Sequence, residues 1–588
     1  MRAELPDEVV QEMHRAHVLR NLLVELELEY QQQVEKIWAD WPDIVAAQRC
    51  VDEAQERVCE AEQAVAEHKQ QTGRSVVSPP LAAEVKETRL ARAEARKQLR
   101  QLKKDLYPQI QPALSQARQE RAAVFKETYR QAVEAGLYWA TVNEVISAHQ
   151  VSVRQMNANR AAGRRAQLRF RRWDGSGMIA VQLQRAKRAP LRSPLVLASP
   201  DSRWRNVLRI GRGLGPGPSA LHRGRKKALS RVITLRIGSR QHAEMVDIPV
   251  VMHRQLPAEA DVTQVLVTRE RVARHWRAWV SVVARVPAPA PREEGGVVAL
   301  HMGWRALPGG GIRAGVAVGV PSGLRPTTEL REWLREQEPG TVEIVVPDEW
   351  VRGWQRLDEV RARRDRAIGA LRLWLREQCE CHDWLSEALF SSSEDDGVAG
   401  GRSARRLAQV ASRVSGTPCP DGGDEGLWQV VVSRLEEWRR NDALLWEWHA
   451  HGRRRLVGRR LSAYRQIATW LLAEAAVVAV EEWSLQNVVR RPAVEDQDPR
   501  QERISRSQRA LAAPGVLRQV MVAAAQAQGV RVTRPSGVPH DVHHQCGGAL
   551  DPGERARSVM VQCPQCGQVV DQDVSAAWCL AEAAGADG

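Results

Sequence analysis

Across 588 residues there is no long uncharged apolar run, and the first residues, Met1-Arg2-Ala3-Glu4-Leu5-Pro6-Asp7, carry charges where a secretory leader needs an apolar core. No membrane partner is therefore expected, and the compartment reads as cytoplasmic. Cysteine is sparse and odd in number, nine in all, with four gathered near the C-terminus. That pattern argues against a disulfide framework and for free thiols plus a metal cluster in a reducing environment. Lysine is scarce: nearly all of the basic charge is arginine, and 86 Lys+Arg against 71 Asp+Glu leave a formal +15. The excess points to a polyanionic partner, nucleic acid first. The arginine preference itself decides less, because a GC-rich genome produces it without functional cause. A hydrophobic content of 43% is ordinary for a chain with real cores, and the length suits three or four domains.

Residues 1–151 are rich in Glu, Gln, Ala, Leu, Lys and Arg with apolar residues at helical spacing, which predicts long antiparallel helices with a turn at Thr72–Pro80. From about Ser152 the period becomes two. Leu168 and Phe170 alternate with Arg169 and Arg171, and Ile233, Leu235 and Ile237 alternate with Thr234 and Arg236, so 152–291 is expected to be a small basic β-barrel or sandwich. Further strands are expected at Val262–Thr268 and Trp276–Val286. The run around Arg212, Gly211-Arg212-Gly213-Leu214-Gly215, lacks the helix and acid of a dinucleotide fingerprint and reads as a basic loop. Residues 391–426 contain Ser391-Ser392-Ser393-Glu394-Asp395-Asp396-Gly397, bury little, and are expected to stay mobile. Cys379-Glu380-Cys381-His382 has no matching second pair, so ordinary buried thiols on a helix are the better reading.

His543-His544-Gln545-Cys546 followed by Cys563-Pro564-Gln565-Cys566 supplies an H-x2-C pair and a C-x2-C pair, four N/S ligands at zinc-ribbon spacing. Gly547 and Gly567 follow at once, where such turns need positive φ. His540 and His544 are alternatives to His543. The ion would staple a small subdomain and take no part in chemistry.

Three segments would converge on a second site. A strand from Val297 ends at His301, a second apolar run, Ala476–Val480, ends at Glu481, and Asp573 lies just past the ribbon. Two-metal phosphodiester cleavage needs carboxylates from separate elements around two magnesium ions. Asp571 could lean in beside Asp573.

In this order the C-terminal half, from about Val262 to Leu580, resembles the TnpB transposon proteins and the miniature type V CRISPR effectors derived from them. Glu481-Glu482-Trp483-Ser484-Leu485 is similar to the family's second motif, and Asp571-Gln572-Asp573-Val574-Ser575-Ala576-Ala577 to its third. The resemblance implies a multidomain α+β protein. Its parts are a helical recognition lobe (1–151), a wedge-like basic barrel (152–291), an RNase H-like RuvC domain (292–500, 501–535 and 568–588) and an inserted zinc ribbon (536–567). Glu481 and Asp573 carry over as metal-site acids. His301 stands at the place of the first aspartate and Ser575 at that of an asparagine. Neutral imidazole cannot bridge two ions as a carboxylate does, so Mg²⁺ binding should be weak and two-metal cleavage lost or severely weakened. His301→Asp should improve metal binding.

In size and degeneracy the chain resembles the V-M group. That implies a monomeric ribonucleoprotein that holds a CRISPR guide RNA and binds double-stranded DNA next to a short T-rich motif. It would silence without cutting and trim its own guide precursor. Arginines 169, 171, 212, 352, 356, 361, 363, 364 and 366, and 453, 454, 455, 459 and 460, interleaved with Trp354, Trp438, Trp446 and Trp448, could line the hybrid's channel. The competing expectations are an RNA-guided nuclease or nickase with weak activity, and a guide-free DNA-binding or transposon accessory protein.

Overall fold

The computed structural model describes residues 5–72, 79–161, 166–184, 192–210, 230–239, 242–251, 256–272, 275–321, 323–390, 404–481, 499–539, 541–551 and 558–586. They fall into two compact units, Met1–Arg271 with Trp276–Val286, and Pro287–Gly588 with Val272–His275. The fold is mixed α and β. No described helix is long and apolar enough to cross a membrane.

The first unit opens on four helices, α1 (Asp7–Ala39), α2 (Pro42–Thr72), α3 (Pro79–Glu134) and α4 (Trp139–Ala161). In α1, Val9, Met13, Ala16, Leu19 and Leu23 recur every three or four residues and are all buried, so one stripe faces the core. Helices α2 and α3 form an antiparallel hairpin: Gln55 meets Arg92 and Glu62 meets Arg89, and Ile44, Val51 and Leu99 bury between them. Glu27 pairs with Arg121 in the interior of the same helical part.

The expected boundary at 151 falls inside α4, which runs ten residues further. The alternation at Leu168–Arg171 is not a strand. That segment has no strand partner, and its backbone is held by the side chain of Asn21, which accepts from Arg171 N at 3.0 Å and donates to Arg171 O at 2.8 Å. Phe170 is exposed there. A short helix, α5 (Pro194–Ala198), and the strands β1 (Gly177–Gln182), β2 (Leu208–Ile210), β3 (Ser230–Ile237), β4 (Glu244–Val251), β5 (Asp261–Val272) and β6 (His275–Arg285) follow. Ile233, Leu235 and Ile237 alternate inward as expected. No closed barrel occurs among the described residues: the strands make two three-stranded sheets, β1-β5-β6 and β2-β3-β4, which share one core with Val9 and Met13. A buried pair, Arg192 Nε to Asp261 Oδ1 at 2.8 Å, ties the chain to the start of β5.

The second unit is built on a six-stranded sheet in the order β12-β11-β7-β8-β10-β9, from β7 (Gly296–Met302), β8 (Ile312–Val318), β9 (Leu334–Glu338), β10 (Thr341–Val346), β11 (Ala475–Val480) and β12 (Arg531–Thr533). β11 runs parallel to β7 and β12, while β7, β8, β10 and β9 are joined antiparallel. Strands buried on both faces read as near-continuous apolar runs, and β8, β10 and β11 do. The long crossover from β10 to β11 contains α6 (Asp348–Cys381), α7 (Asp383–Phe390), α8 (Ala404–Val414) and α9 (Glu425–Leu471). It is followed by α10 (Pro499–Ala512) and α11 (Pro514–Gln528). The C-terminal half of α9, together with α11, covers one face of the sheet through Tyr464, Ile467, Leu471, Leu517 and Met521. The last helix, α12 (Gln572–Ala586), covers the other through Val574, Ala577, Leu580 and Ala584.

The expectation of a mobile 391–426 needs correction in its second half. Residues 391–403 lie outside the described residues, but 404–414 form α8, whose Leu407, Val410, Ala411 and Val414 pack with Leu385, Leu389, Trp428 and Val431 in a core of their own. Polar composition concealed a helix whose few apolar residues share one stripe. Cys379 is buried in that core as expected, whereas Cys381, the last residue of α6, is exposed and corrects the expectation of two buried thiols.

Candidate functional site: a cation-filled acid cluster beside a four-ligand knuckle

Adjacent parallel strands place His301 and Glu481. Leu300 lies opposite Val480, so the next residue of each chain emerges at the same sheet edge, and by alternation both face α12 along with Ala299 and Ala479. His301 Nδ1 is 2.5 Å from Glu481 Oε1, and its Nε2 is 3.6 Å from Asp573 Oδ1 at the start of α12. Glu481 is buried, and its carboxylate oxygens have no well-aligned hydrogen-bond donor among the described residues, which leaves the imidazole as the neighbouring counter-charge. Asp571 caps the helix: its Oδ1 accepts from Asp573 N at 2.9 Å and Val574 N at 3.3 Å. Glu482 lies outside the described residues.

Two members of the cluster escaped the sequence reading. Arg313 on β8 is buried, and its guanidinium faces three carboxylates at once. Nε donates to Glu343 Oε1 at 2.6 Å, Nη2 to Asp571 Oδ2 at 2.7 Å, and Nη1 to Asp573 Oδ2 at 2.8 Å and Asp571 Oδ1 at 3.0 Å. A bulge aims it there. β10 pairs Ile344 with Gly315 but the next residue, Val345, with Arg313, so Ala314 is skipped and the inside-outside alternation slips by one. Without the slip Arg313 would face the α9 and α11 side, where Ile312, Ala314 and Ala317 pack. The available signals were a lone arginine inside Ile312–Val318 and a lone Glu343 inside Thr341–Val346, each a charge on a fully buried strand.

The charges settle each other. Burial disfavours a charged ring at His301, but the negative charge of Glu481 and the contact with Asp573 push it up to about 10. Burial would raise Asp573, yet His301 and Arg313 hold it well below the usual carboxylate range. Arg313, despite burial, is held more firmly protonated by Asp571, Asp573 and Glu343. Because His301 titrates higher folded than its ordinary 6.5, its pairing stabilises fully below that value and is lost as pH rises through about 10. The gap in unfolding temperature between the unaltered protein and His301→Gln should therefore narrow steadily from pH 7 to 10. A gap that stays constant over that window would contradict a charged ring.

The residues do not fit a two-magnesium site. Such ions want several oxygen ligands with free lone pairs, whereas Asp571 and the Oδ2 side of Asp573 are engaged by the Arg313 guanidinium and the His301 imidazole stands against Glu481. The knuckle, in contrast, fits a zinc ion. His543 Nδ1 is 3.2 Å from both Cys546 Sγ and Cys566 Sγ, Cys546 and Cys563 sulfurs are 3.5 Å apart, and all four ligand atoms lie within 4.8 Å. Such separations suit one tetrahedral ion with ligands about 2.0–2.3 Å away. Gly547 and Gly567 take φ of 70° and 74°, and each donates its N–H back to the carbonyl of His543 or Cys563 at 2.8 Å. The knuckle continues into a two-stranded ribbon, β13 (Met560–Gln562) with β14 (Val569–Asp571), which leads straight into α12. His540 lies outside the described residues. His544 is not in the cluster: its N–H donates to Ser575 Oγ at 2.8 Å, and its ring stacks on Trp578. Ser575 thus fastens the ribbon to α12.

The arginines divide. Arg364 makes a two-pronged pair with Asp442 at 2.7 and 2.9 Å and Arg460 donates to the carbonyls of Ala510 and Leu511, so these serve the fold, whereas Arg459 is exposed and makes a surface pair with Glu332 at 2.7 Å, as Arg352 does with Asp348 at 3.1 Å. Arg352, Arg356, Arg363 and Arg366 are exposed at spacings of four, seven and three, which puts them in one stripe along α6. Arg454 and Arg455 are exposed on α9. Trp354 packs against Trp350 and Trp438 is buried, while Trp446 and Trp448 are partly open. In the first unit Arg169 and Arg171 border an open groove of about 1160 Å³ with Arg20 and Arg160. Arg212 lies outside the described residues.

No family model matches the chain. It is 32% identical to the CRISPR-associated DNA-binding protein Cas12m of Gordonia otitidis over 97% of this chain and 95% of that one. The Cas12m protein of Mycolicibacterium mucogenicum gives the same identity and coverage. That of Thermanaerosceptrum fracticalcis is 25% identical over 79% of this chain and 72% of its own. Among solved structures, the mini-RNA-guided endonuclease CRISPR-Cas phi3 aligns over 80% of this chain and 82% of its own, at 10% identity and a TM-score of 0.29, too low to carry an argument.

Proposed function

The chain belongs to the Cas12m family of CRISPR-associated proteins, and from that premise we propose that it is an RNA-guided double-stranded DNA-binding effector that silences without cutting. The guide would supply sequence choice by pairing, and the protein would supply a basic channel for the A-form hybrid. The relatives' printed name speaks of DNA binding. The observation that carries the second half of the proposal is the acid cluster, where His301 and Arg313 stand among Glu343, Glu481, Asp571 and Asp573.

On this reading the second unit is a RuvC-like domain. Its strand order fits an RNase H-like core, with β7, β8 and β10 antiparallel next to the parallel β11 and β12, and β9 added at the far edge. Helices α1 to α4 act as the recognition lobe and the two small sheets as the wedge-like module. Zinc has a structural role in the ribbon, and magnesium has no productive seat. Exposed stripes such as Arg352, Arg356 and Arg363 would meet phosphates, whereas Arg364, clamped by Asp442, would not.

The test uses protein loaded with a guide transcript and supercoiled DNA bearing the matched sequence beside varied flanks. Guide-dependent retardation and strand opening are expected, with no nicked or linear product in Mg²⁺ or Mn²⁺. Cutting that disappears in Asp573→Ala would favour the nuclease reading. Binding of one DNA sequence by RNA-free protein would favour the guide-free reading.

A further inference from the structure

We propose that Arg313 is a tethered cation that occupies the ground of the divalent ions, so the acid cluster is a closed electrostatic lock and replacing His301 alone does not reopen it. The inference rests on reading the cluster as a former nuclease centre, and it names the residue that keeps that centre closed.

The argument begins with valence and position. A carboxylate that ligates a metal gives it a lone pair. Asp573 has Oδ2 against Arg313 Nη1 at 2.8 Å, and both Asp571 oxygens are taken by the same guanidinium at 3.0 and 2.7 Å. The third arm, Nε at 2.6 Å from Glu343, anchors the fork so that it cannot swing away cheaply. His301→Asp would release Glu481 and the Oδ1 side of Asp573. The Oδ2 side and Asp571 would remain held, and an incoming dication would sit beside a fixed positive charge in a buried pocket.

The placement is also built in, because the bulge at Ala314 is what turns Arg313 to this face. The Asp571 it grips is also the cap of α12, and Glu343 comes from β10. One side chain therefore ties β8, β10 and the α12 start into a single ion-paired joint. That joint is the work divalent ions do for carboxylates brought together from separate elements. The geometry makes the acids' mutual repulsion tolerable without metal.

The experiment is Mn²⁺ titration of the full, zinc-loaded, guide-free chain, followed by the paramagnetic resonance of free Mn²⁺, with Asp573→Asn as the blank. The unaltered protein and His301→Asp should show little binding above the blank, and the double variant His301→Asp/Arg313→Gln should bind about 10- to 100-fold more tightly than His301→Asp. Equal affinity of the single and double variants would overturn the inference. If the double variant does not fold, the unaltered protein decides: millimolar Mg²⁺ should leave its unfolding temperature where it is, and a rise that Asp573→Asn abolishes would overturn the lock. Neither measurement involves guide or DNA, so failure here is separable from failure of the binding-without-cutting reading.

Discussion

Replacing Arg313 by alanine should cost about 3–5 kcal/mol of stability, one of the largest effects expected from any single substitution in the second unit. The reason is the company left behind: Glu343, Asp571 and Asp573 would lose their shared donor while remaining buried. Removing one partner of a buried ionic network costs far more than the network contributes against an apolar core, because the survivors keep their desolvation penalty. Arg313→Lys keeps the charge but not the planar fork, so it should recover part of the loss. Arg352→Ala, on an exposed face of α6, should stay within about 0.5 kcal/mol. Urea unfolding at neutral pH measures all three. An Arg313→Ala variant as stable as Arg352→Ala would mean that the cluster is solvated or its acids protonated, and the site as described would be wrong.

The second large effect concerns the knuckle. Purified protein should carry about one zinc, and Cys563→Ser should carry none, because a three-ligand remnant in so small a ribbon cannot hold the ion. Among its described residues the buried hydrophobic ones are Leu550, Val561 and Cys563, too little apolar surface to order it alone. Amide exchange over 541–551 and 558–571 should become nearly unprotected in the variant, while β7, β8 and β11 keep their protection. The start of α12 should loosen too, since His544 holds Ser575 and stacks on Trp578 only when the knuckle is formed. Full zinc content in Cys563→Ser, or an unchanged exchange pattern in the ribbon, would remove the metal from the account.

Much of the second unit was legible beforehand because its signals are short and local. Apolar runs ending in His301 and Glu481 define two strands without any partner in view, and their order fixes which edge the two residues share. The knuckle was legible for the same reason: an x2 spacing followed by glycine is a turn that one stretch of chain can make unaided. In the first unit the pattern misled at Leu168–Arg171, where alternation is present but no strand comes alongside, so the Asn21 side chain does the ladder's job. Period two describes which way side chains point along an extended segment, and it does not supply the neighbour that makes a strand.

What the sequence alone determined is most of the inventory: three of the four carboxylates, Glu481, Asp571 and Asp573, with the imidazole, the thiols and the elements that carry them. What only the tertiary structure decided is who neutralises whom. Arg313 lies 260 positions from Asp573 and 258 from Asp571, and a skipped residue in one strand pair decides which face of the sheet it presents. Likewise Arg364 and Arg363 are neighbours with the same chemistry, yet one is clamped by Asp442 and the other is open to solvent. Charge interactions depend on distance through space and on burial, and neither is a property of position along a chain.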